Sequence, residues 1–497
     1  MSLRYLLISL PVLPAYLIFL MCLVIYKYII FAILKMKYNK NLSPIESIDS
    51  FFTLGEFQDN FSNILITMET DIKEKSLQER IIKHFERTII KNTNHFRKIH
   101  SSVHSYMGFS FLLREEIQAA DFVNIIDVNE DSYEYLNHFI YEYCMKPLPK
   151  HNKLLMDATI LKCSNNWKMK NNFRIDQIPV LFRIHHILGD GLSIMNLFIQ
   201  LFGDDKLVID EVIGEFHNRH KYNNFWMRLL EDVYSFLILP GFMICEVIRR
   251  CMNNRVFIGS TGSGKQYFAK KVGDDTMSLQ KIKALKKKIG NCRFTEILIT
   301  AISASLCDYF RKKNGVIPKT VAAVEAVVQE MVNLNKNGLP ELKNQFKFFP
   351  FEIPIEIGSD SMLKRLNAVR KYTRSPDSTV IFMMQRLFLH NLMGLLPRPF
   401  IEMFFKTKYT SLALSNLPGI KKITLFNGIK IEEIYFFVLG RKETGMGYSL
   451  ITYDNKMHLA FKAHDNIISS QEDCQKLVDD VFKYLNELSK ELSDKSI

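Results

Sequence analysis

The stretch IPVLFRIHHILGDGLSIMNLFIQLF, residues 178–202, decides how the rest of the chain is read. Its first nine residues are apolar and β-rich and predict a strand, and two glycines around one aspartate mark a tight turn. Beyond the turn Leu192, Met195, Phe198, Ile199 and Phe202 recur at helical spacing, so the unit reads strand, turn, helix. If residues 180–186 are extended, successive side chains alternate faces and His185 and His186 point in opposite directions. Only one of them then meets a given reacting atom. A histidine at a strand end suits a general base, because an imidazole with its ordinary pKa of about 6.5 is largely neutral at pH 7. Asp190, between Gly189 and Gly191, can accept hydrogen bonds that fix the turn and with it the imidazole. Opposed faces make the pair a poor metal site, so no metal is expected. Spacing alone leaves two readings, a catalytic base or two satisfied core histidines.

At 497 residues the chain has room for two or three domains, and with 47% hydrophobic and 24% charged residues most of it should fold. The formal charge of +13 suits an anionic partner: nucleic acid, an anionic membrane surface, or a phosphorylated cofactor such as coenzyme A. Lys and Arg are dispersed, without an arginine-rich block, zinc-finger spacing or RNA-binding signature, which argues against nucleic acid. The eight cysteines form no C-x-x-C pair and read as reduced core residues of a body facing the cytosol.

Tyr5 to Tyr26 carries no charge and is followed by Lys27 and a second apolar run, Tyr28 to Leu34. A bilayer core needs about 20 apolar residues in a helix, and the run is too long for a signal peptide and lacks a small-residue cleavage site. Residues 1–38 are expected to anchor the chain in a membrane, with Pro11 and Pro14 permitting a kinked span or a shallow hairpin. Lys27, Lys35, Lys37 and Lys40 follow the span while Arg4 precedes it, which puts the catalytic portion in the cytosol. The endoplasmic reticulum is the expected membrane. Asn60 lies in an N-x-[ST] sequon that this topology leaves unglycosylated.

Residues 39–205 read as an N-terminal domain carrying the histidine turn, 206–270 as a connector, and 271–497 as a C-terminal domain. Within the connector, Val233 to Ile248, interrupted by Pro240-Gly241, predicts either an irregular helix that touches the membrane or lines a lipid channel, or a core helix. Helices are expected at 77–92, 279–288 and 294–310, and strands separated by turns from 409 to 461. The final helix is expected to start behind Ser469, with Glu472 completing a capping box. The fold class is mixed α/β in two halves.

The loop GSTGSGKQ, residues 259–266, approximates a phosphate-binding loop until Gln266 takes the place of the magnesium-binding hydroxyl. No apolar run ending in the expected aspartate follows it. It reads as a basic linker whose Lys265 is a candidate contact for coenzyme A phosphates.

His185 and Asp190 also fit the H-x-x-x-x-D pattern of glycerolipid acyltransferases, but the Glu-Gly block those enzymes carry downstream is absent from the sequence. The complete H-H-x-x-x-D-G at 185–191, LSPIESIDSFF at 42–52 and LSNLPGI at 414–420, in that order, resemble instead the wax ester synthase/diacylglycerol acyltransferase family of bacteria and plants. That family lies within the coenzyme A-dependent acyltransferase superfamily that includes chloramphenicol acetyltransferase. The resemblance runs from about residue 42 to the end. It departs where the family's Pro-Leu-Trp motif falls on NKLLMD (152–157), where its Asn-Asp pair falls on Thr295-Glu296, and where Ile420 replaces a proline.

The resemblance implies a two-domain chloramphenicol-acetyltransferase-like fold in which His186 takes the proton of a bound lipid alcohol as its oxygen attacks an acyl-CoA thioester. The acceptor is then a long-chain fatty alcohol or diacylglycerol, acyl-CoA is a co-substrate, no cofactor is bound, and no protein partner is inferred. Asn416 and Thr295 become candidate donors to the thioester oxygen, although each has a local alternative, Asn416 at the turn before Pro418 and Thr295 as a helix N-cap. A non-catalytic protein that binds or transfers lipid or acyl-CoA on the same fold is the competing expectation.

Overall fold

The computed structural model describes residues 2–128, 136–148, 153–203, 225–252, 264–274, 278–314, 317–328, 339–374, 376–405, 410–425, 428–438 and 444–494. Its helices are α1 (Ser2–Tyr38), α2 (Glu74–Thr88), α3 (Leu136–Met145), α4 (Asn165–Lys170), α5 (Gly191–Phe202), α6 (Phe225–Met252), α7 (Leu279–Ile289), α8 (Phe294–Asn314), α9 (Met362–Thr373), α10 (Pro376–Leu387), α11 (Arg398–Phe405) and α12 (Gln471–Asp494). The strands are β1 (Leu42–Pro44), β2 (Phe61–Glu69), β3 (Ser101–Tyr106), β4 (Phe109–Arg114), β5 (Val123–Val128), β6 (Met156–Cys163), β7 (Gln177–His185) and β8 (Gln266–Val272). They continue with β9 (Thr320–Val328), β10 (Phe346–Pro354), β11 (Leu412–Ile420), β12 (Thr424–Leu425), β13 (Ile429–Phe437), β14 (Met446–Tyr453) and β15 (Lys456–His464).

Two six-stranded sheets carry the body, one in the order β12-β13-β2-β7-β6-β5 and the other β10-β9-β11-β14-β15-β8. β7 lies inside the first sheet and is buried along its whole length. Both its faces are covered, which is why its sequence is a continuous apolar run. Val180, Phe182 and Ile184 pack into a core with α2 and α5, while Leu181 turns toward Phe268, Tyr435 and Ala460 in the seam between the sheets. The two halves of the chain interlock. β13, from the C-terminal part, pairs antiparallel with β2, placing Ile434 opposite Ile66, and so completes the sheet that carries the histidines.

The second sheet has a local opening. β9 pairs with β11 only where Ala323 to Ala326 lie beside Leu412 to Ser415. Past that point β9 continues to Val328 beside β10, and β11 continues beside β14. Among the described residues the strands therefore part beyond Ala326 and Ser415.

α1 is one continuous helix through Pro11 and Pro14, so the hairpin alternative does not describe it. It is long and apolar enough to cross a membrane by length and composition. One side rests on the body: Ile30 and Leu34 are buried with Phe109 and Phe111 of the β3–β4 hairpin, and Leu23 packs near Leu389 and Met393. Its N-terminal half lies antiparallel along α6, with ring centroids of Tyr5 and Phe242 at 5.5 Å and of Tyr16 and Phe236 at 5.7 Å. α6 is continuous despite Pro240. The Gly241 N–H donates to Ser9 Oγ at 2.7 Å, and a Cβ at Gly241 would sit 2.1 Å from the Tyr5 carbonyl oxygen. Glycine is what allows the two helices to touch there. The outer sides of both stay apolar, with Leu7, Leu17, Ile25, Trp226, Leu230 and Ile248 exposed.

Two local expectations change. The cap of α12 is Ser470, not Ser469: Ser470 Oγ accepts the Asp473 N–H at 3.1 Å, while Ser469 is drawn to Tyr309 Oη at 3.2 Å. Asn60 is buried, its Nδ2 donating to the carbonyls of Leu54 at 2.9 Å and Glu56 at 3.0 Å, so the folded chain has no free amide there for a glycan.

Gly241→Val should force α1 off α6 and destabilise the protein by about 1–3 kcal/mol, as overpacking does. A drop of several degrees in the melting temperature of detergent-solubilised protein is the expected result, and an unchanged melting temperature would contradict this packing.

Candidate active site

β7 delivers His185 as its last residue, and the chain passes through a 3₁₀ turn, His186–Leu188, into α5. The strand thus ends one residue before the expected His186. Asp190 closes the turn as the N-cap of α5. Its Oδ1 accepts the Ser193 N–H at 3.0 Å and its Oδ2 accepts the Gln345 N–H at 2.8 Å. Its own N–H donates to the Lys343 carbonyl at 3.2 Å, which also accepts Ser193 Oγ at 2.7 Å. Burial pushes the Asp190 pKa up, and the backbone donors oppose that shift. A Cβ on Gly189 would lie 2.8 Å from Ser193 Cβ and 3.3 Å from the Lys343 oxygen, and one on Gly191 would lie 2.8 Å from Leu417 Cδ2. The glycines of the motif make room for chain arriving from the second half of the sequence.

The two imidazoles do separate. His185 is buried, tilted against Phe57 at 4.8 Å and edge-on to Phe61 at 5.0 Å, and its Nδ1 accepts the Ile187 N–H at 3.2 Å. With Nδ1 accepting, Nε2 carries the proton, buried without a partner. Burial and the neighbouring His186 take its pKa down to about 3. His186 is half-buried and stacks flat on Phe52, at 4.5 Å and 13°, with Phe346 at 6.4 Å. Its Nδ1 is sealed in without a partner. Burial lowers its pKa to about 4, opposed in part by Asn344 and by the backbone at His186 and Gly189.

Three residues that the sequence did not mark hold His186 in place. Asn344 Nδ2 donates to the His186 carbonyl and to Asp49 Oδ1, each at 2.7 Å. Asp49 Oδ2 accepts from Lys98 Nζ at 2.6 Å. Burial disfavours the Lys98 charge, but the carboxylates of Asp49 and Glu46 outweigh it and raise the pKa. Asp49 lies inside the LSPIESIDSFF segment, a usable signal. Asn344 and Lys98 sit in ordinary polar stretches. Two residues before His185, Arg183 clamps β7 to β6: its Nε donates to Asp157 Oδ1 at 2.9 Å and its Nη1 to the carbonyls of Tyr143 at 2.8 Å and Lys146 at 2.7 Å.

The remaining expected residues lie elsewhere. Leu412 and Leu414 face the helix-covered core of the second sheet, so alternation along β11 puts Asn416 on that side and Leu417 toward Gly191. Thr295 is inside the first turn of α8 and is not its cap; its Oγ1 donates to Glu325 Oε1 at 3.2 Å, while Glu296 Oε2 accepts the Arg293 N–H at 2.8 Å. Burial pushes the Glu325 pKa up to about 7, with Thr295 and Arg293 opposing it. Glu325 was legible as the one carboxylate inside the apolar run VAAVEAVV. Glu325 and Asn416 flank the opening between β9 and β11. Lys265 is exposed at the start of β8, the edge of the sheet away from β10, where its carbonyl accepts the Asp465 N–H at 3.1 Å. The rest of the glycine-rich loop, 259–263, lies outside the described residues. An apolar cavity of about 40 Å³ adjoins the motif, lined among others by Gly191, Met195, Phe198, Leu417, Ile420 and Phe436. Among the described residues no cluster of His, Cys, Asp or Glu is arranged to hold a metal.

Residues 342–489, which carry Asn344, β11 and β13, match the model of the WS/DGAT C-terminal domain. The Arabidopsis thaliana protein "Wax ester synthase/diacylglycerol acyltransferase 10" is 22% identical over 482 residues, covering 87% of this chain and 95% of that one. The solved wax ester synthase/diacylglycerol acyltransferase from Marinobacter aquaeolei VT8 superposes with a TM-score of 0.55 at 13% identity, covering 91% of this chain and 100% of that one. The first condensation domain of the calcium-dependent antibiotic synthetase, in complex with a substrate analogue, gives 0.54 at 12% identity, covering 90% and 96%. The fold is thus the two-domain chloramphenicol-acetyltransferase-like one shared by these enzymes. The family match over residues 342–489, the relative that runs nearly its full length and the shared architecture agree that the chain is similar to the wax ester synthase/diacylglycerol acyltransferase family and indicate an acyltransferase.

Proposed function

We propose that the protein is a membrane-bound, acyl-CoA-dependent O-acyltransferase that esterifies a long-chain fatty alcohol, diacylglycerol, or both, with His186 as general base. The observation that carries this reading is the single half-buried imidazole held neutral in the H-H-x-x-x-D-G turn, backed by Phe52 and tied through its carbonyl to Asn344. Nε2 is the nitrogen we assign to catalysis, since Nδ1 is sealed in. It accepts the hydroxyl proton of the acceptor as that oxygen attacks the thioester carbonyl. Collapse of the tetrahedral species breaks the carbon–sulfur bond, the thiolate leaves as coenzyme A, and the imidazolium returns the proton to it. No covalent enzyme intermediate is required. General-base help of this kind supplies about 10²–10⁴-fold; positioning and stabilisation of the oxyanion supply much of the rest.

His185, Asp190 and Gly191 act by position: His185 receives the Ile187 N–H, Asp190 pins the turn, and Gly191 lets Leu417 close over it. Thr295 and Asn416 border the opening through which we route the thioester arm. The small apolar cavity beside Gly191 offers contact to a short segment of an alkyl chain. For the setting we favour α1 as the anchor in the endoplasmic reticulum membrane with the body in the cytosol, a reading supported by its exposed apolar side, the lysines that follow it and the reduced cysteines. Both acceptor classes dissolve in that bilayer.

Membranes containing the protein, given labelled acyl-CoA with hexadecanol or diacylglycerol, should yield wax ester or triacylglycerol, and His186→Ala should reduce kcat by about 10²–10⁴-fold. No product from either acceptor, or a His186→Ala variant within tenfold of wild type, would sink the assignment.

The pH profile follows from the same geometry. A base whose pKa is about 4 stays deprotonated through neutral pH, so kcat should remain flat from pH 8 to about 5.5 and fall only toward pH 4. Stability behaves differently. The unfolded chain takes up protons below about pH 6.5 that the two buried rings refuse, so unfolding free energy should decline as pH drops through this window. Stopped assays paired with urea titrations at each pH separate the two effects; a kcat titration near 6.5 would contradict the neutral, buried base.

Asp49→Ala leaves the buried Lys98 with only the longer 3.7 Å contact to Glu46 and frees Asn344, and should cost about 1–3 kcal/mol of stability. The urea midpoint reads this directly, and a loss under 1 kcal/mol would show that the Lys98–Asp49–Asn344 chain does not support the site.

A further inference from the structure

A broad cleft lies on the helix-covered side of the second sheet, away from the histidine turn. It is open to solvent, has a volume of about 760 Å³ and is lined by Lys283, Lys286, Lys287, Arg293, Arg374 and Phe349 together with Asn291 and Thr373. The three lysines stand at i, i+3 and i+4 on α7 and share one face of that helix. Arg374 is committed to Glu296, with Nε to Oε1 at 2.7 Å and Nη2 to Oε2 at 2.8 Å, and to the Asn291 carbonyl. Among the described residues, Lys283, Lys286, Lys287 and Arg293 have no carboxylate within ion-pair distance. Like charges concentrated in one concavity repel each other unless an anion is present, and no other cavity described here is so basic.

We infer that this cleft receives the nucleotide phosphates of acyl-CoA, an inference that rests on the acyl-CoA-dependent function proposed above. Concavity and an aromatic wall at Phe349 suit a nucleotide better than a flat lipid surface. The path to the chemistry is short. Phe349 lies directly across from Glu325 in the β10–β9 pair, and Glu325 borders the opening between β9 and β11. Three residues back along β10, a span of about 10 Å, Phe346 faces the His186 ring at 6.4 Å. A nucleotide seated among the α7 lysines can therefore send its acyl-bearing arm past Thr295 and Glu325, through the opening, to the histidine. Lys265, at the opposite edge of the sheet, takes no part in this arrangement.

The test uses the full-length protein in detergent and compares wild type with Lys283→Glu/Lys287→Glu and with the conservative pair Lys283→Arg/Lys287→Arg. Charge reversal should raise KM for acyl-CoA by about tenfold or more, leave kcat within about twofold, and leave KM for the matching acyl-pantetheine, which has no nucleotide, unchanged. The arginine pair should behave as wild type. An unaltered KM for acyl-CoA overturns the inference, as does an equal rise for both thioesters. It is equally overturned if the glutamate pair loses binding to anionic phosphatidylserine vesicles while keeping its KM. If wild type turns over no acyl-CoA at all, the functional reading fails on its own, and calorimetric titration with adenosine 3′,5′-bisphosphate still decides the cleft. Binding weakened about tenfold by charge reversal supports it; equal binding, or none to wild type, rejects it.

Discussion

Asp190 accepts two backbone N–H groups that come from opposite parts of the chain, Ser193 in its own helix and Gln345, 155 residues away. That double acceptance joins the turn bearing His186 to the chain entering the second sheet. The carboxylate is buried, and burial alone would favour its neutral form, so the donors that surround it are what keep such a group tolerable inside the protein. Asn344, immediately before Gln345, then reaches both the His186 carbonyl and Asp49. Three successive residues, 343 to 345, thus tie together the histidine turn, the N-terminal Asp49 segment and β10. The glycines on either side of Asp190 matter because this junction leaves no space for a Cβ.

The two histidines share one kind of environment but sit in it differently. Both rings are surrounded by aromatic side chains, which disfavour the charged form and keep them neutral well below physiological pH. His185 spends its Nδ1 on the backbone of the turn. His186 retains partial access. The same desolvation that keeps the rings neutral therefore weakens the fold in acid, and the two consequences share a physical origin.

The N-terminal helix and α6 meet through Ser9 and Gly241 and share an antiparallel interface. Each presents an apolar side outward, and each rests its other side on the body. The seam that holds the histidine turn and the apolar helices are thus parts of one packed assembly, linked through the cluster that joins Leu23 to Phe52 and Phe346.

Much of this was legible in the chain itself. The strand, turn and helix around 185–191 follow from apolar runs broken by glycine, and the apolar N-terminal helix follows from 22 residues, Tyr5 to Tyr26, without a charge. The separation of the two imidazoles also followed from adjacency, even though His186 proved to lie just past the strand. What sequence could not supply were relations between residues far apart in number: Lys98 with Asp49, Asn344 with His186, Glu325 with Thr295, and β13 inserted beside β2. Local signals such as periodicity, caps and turn residues arise from neighbours in the chain and are written in it. The opening between β9 and β11, the basic cleft behind it and the face on which Asn416 lies depend on strand order and register. Those are set by how the whole core packs, and no short window of residues encodes them.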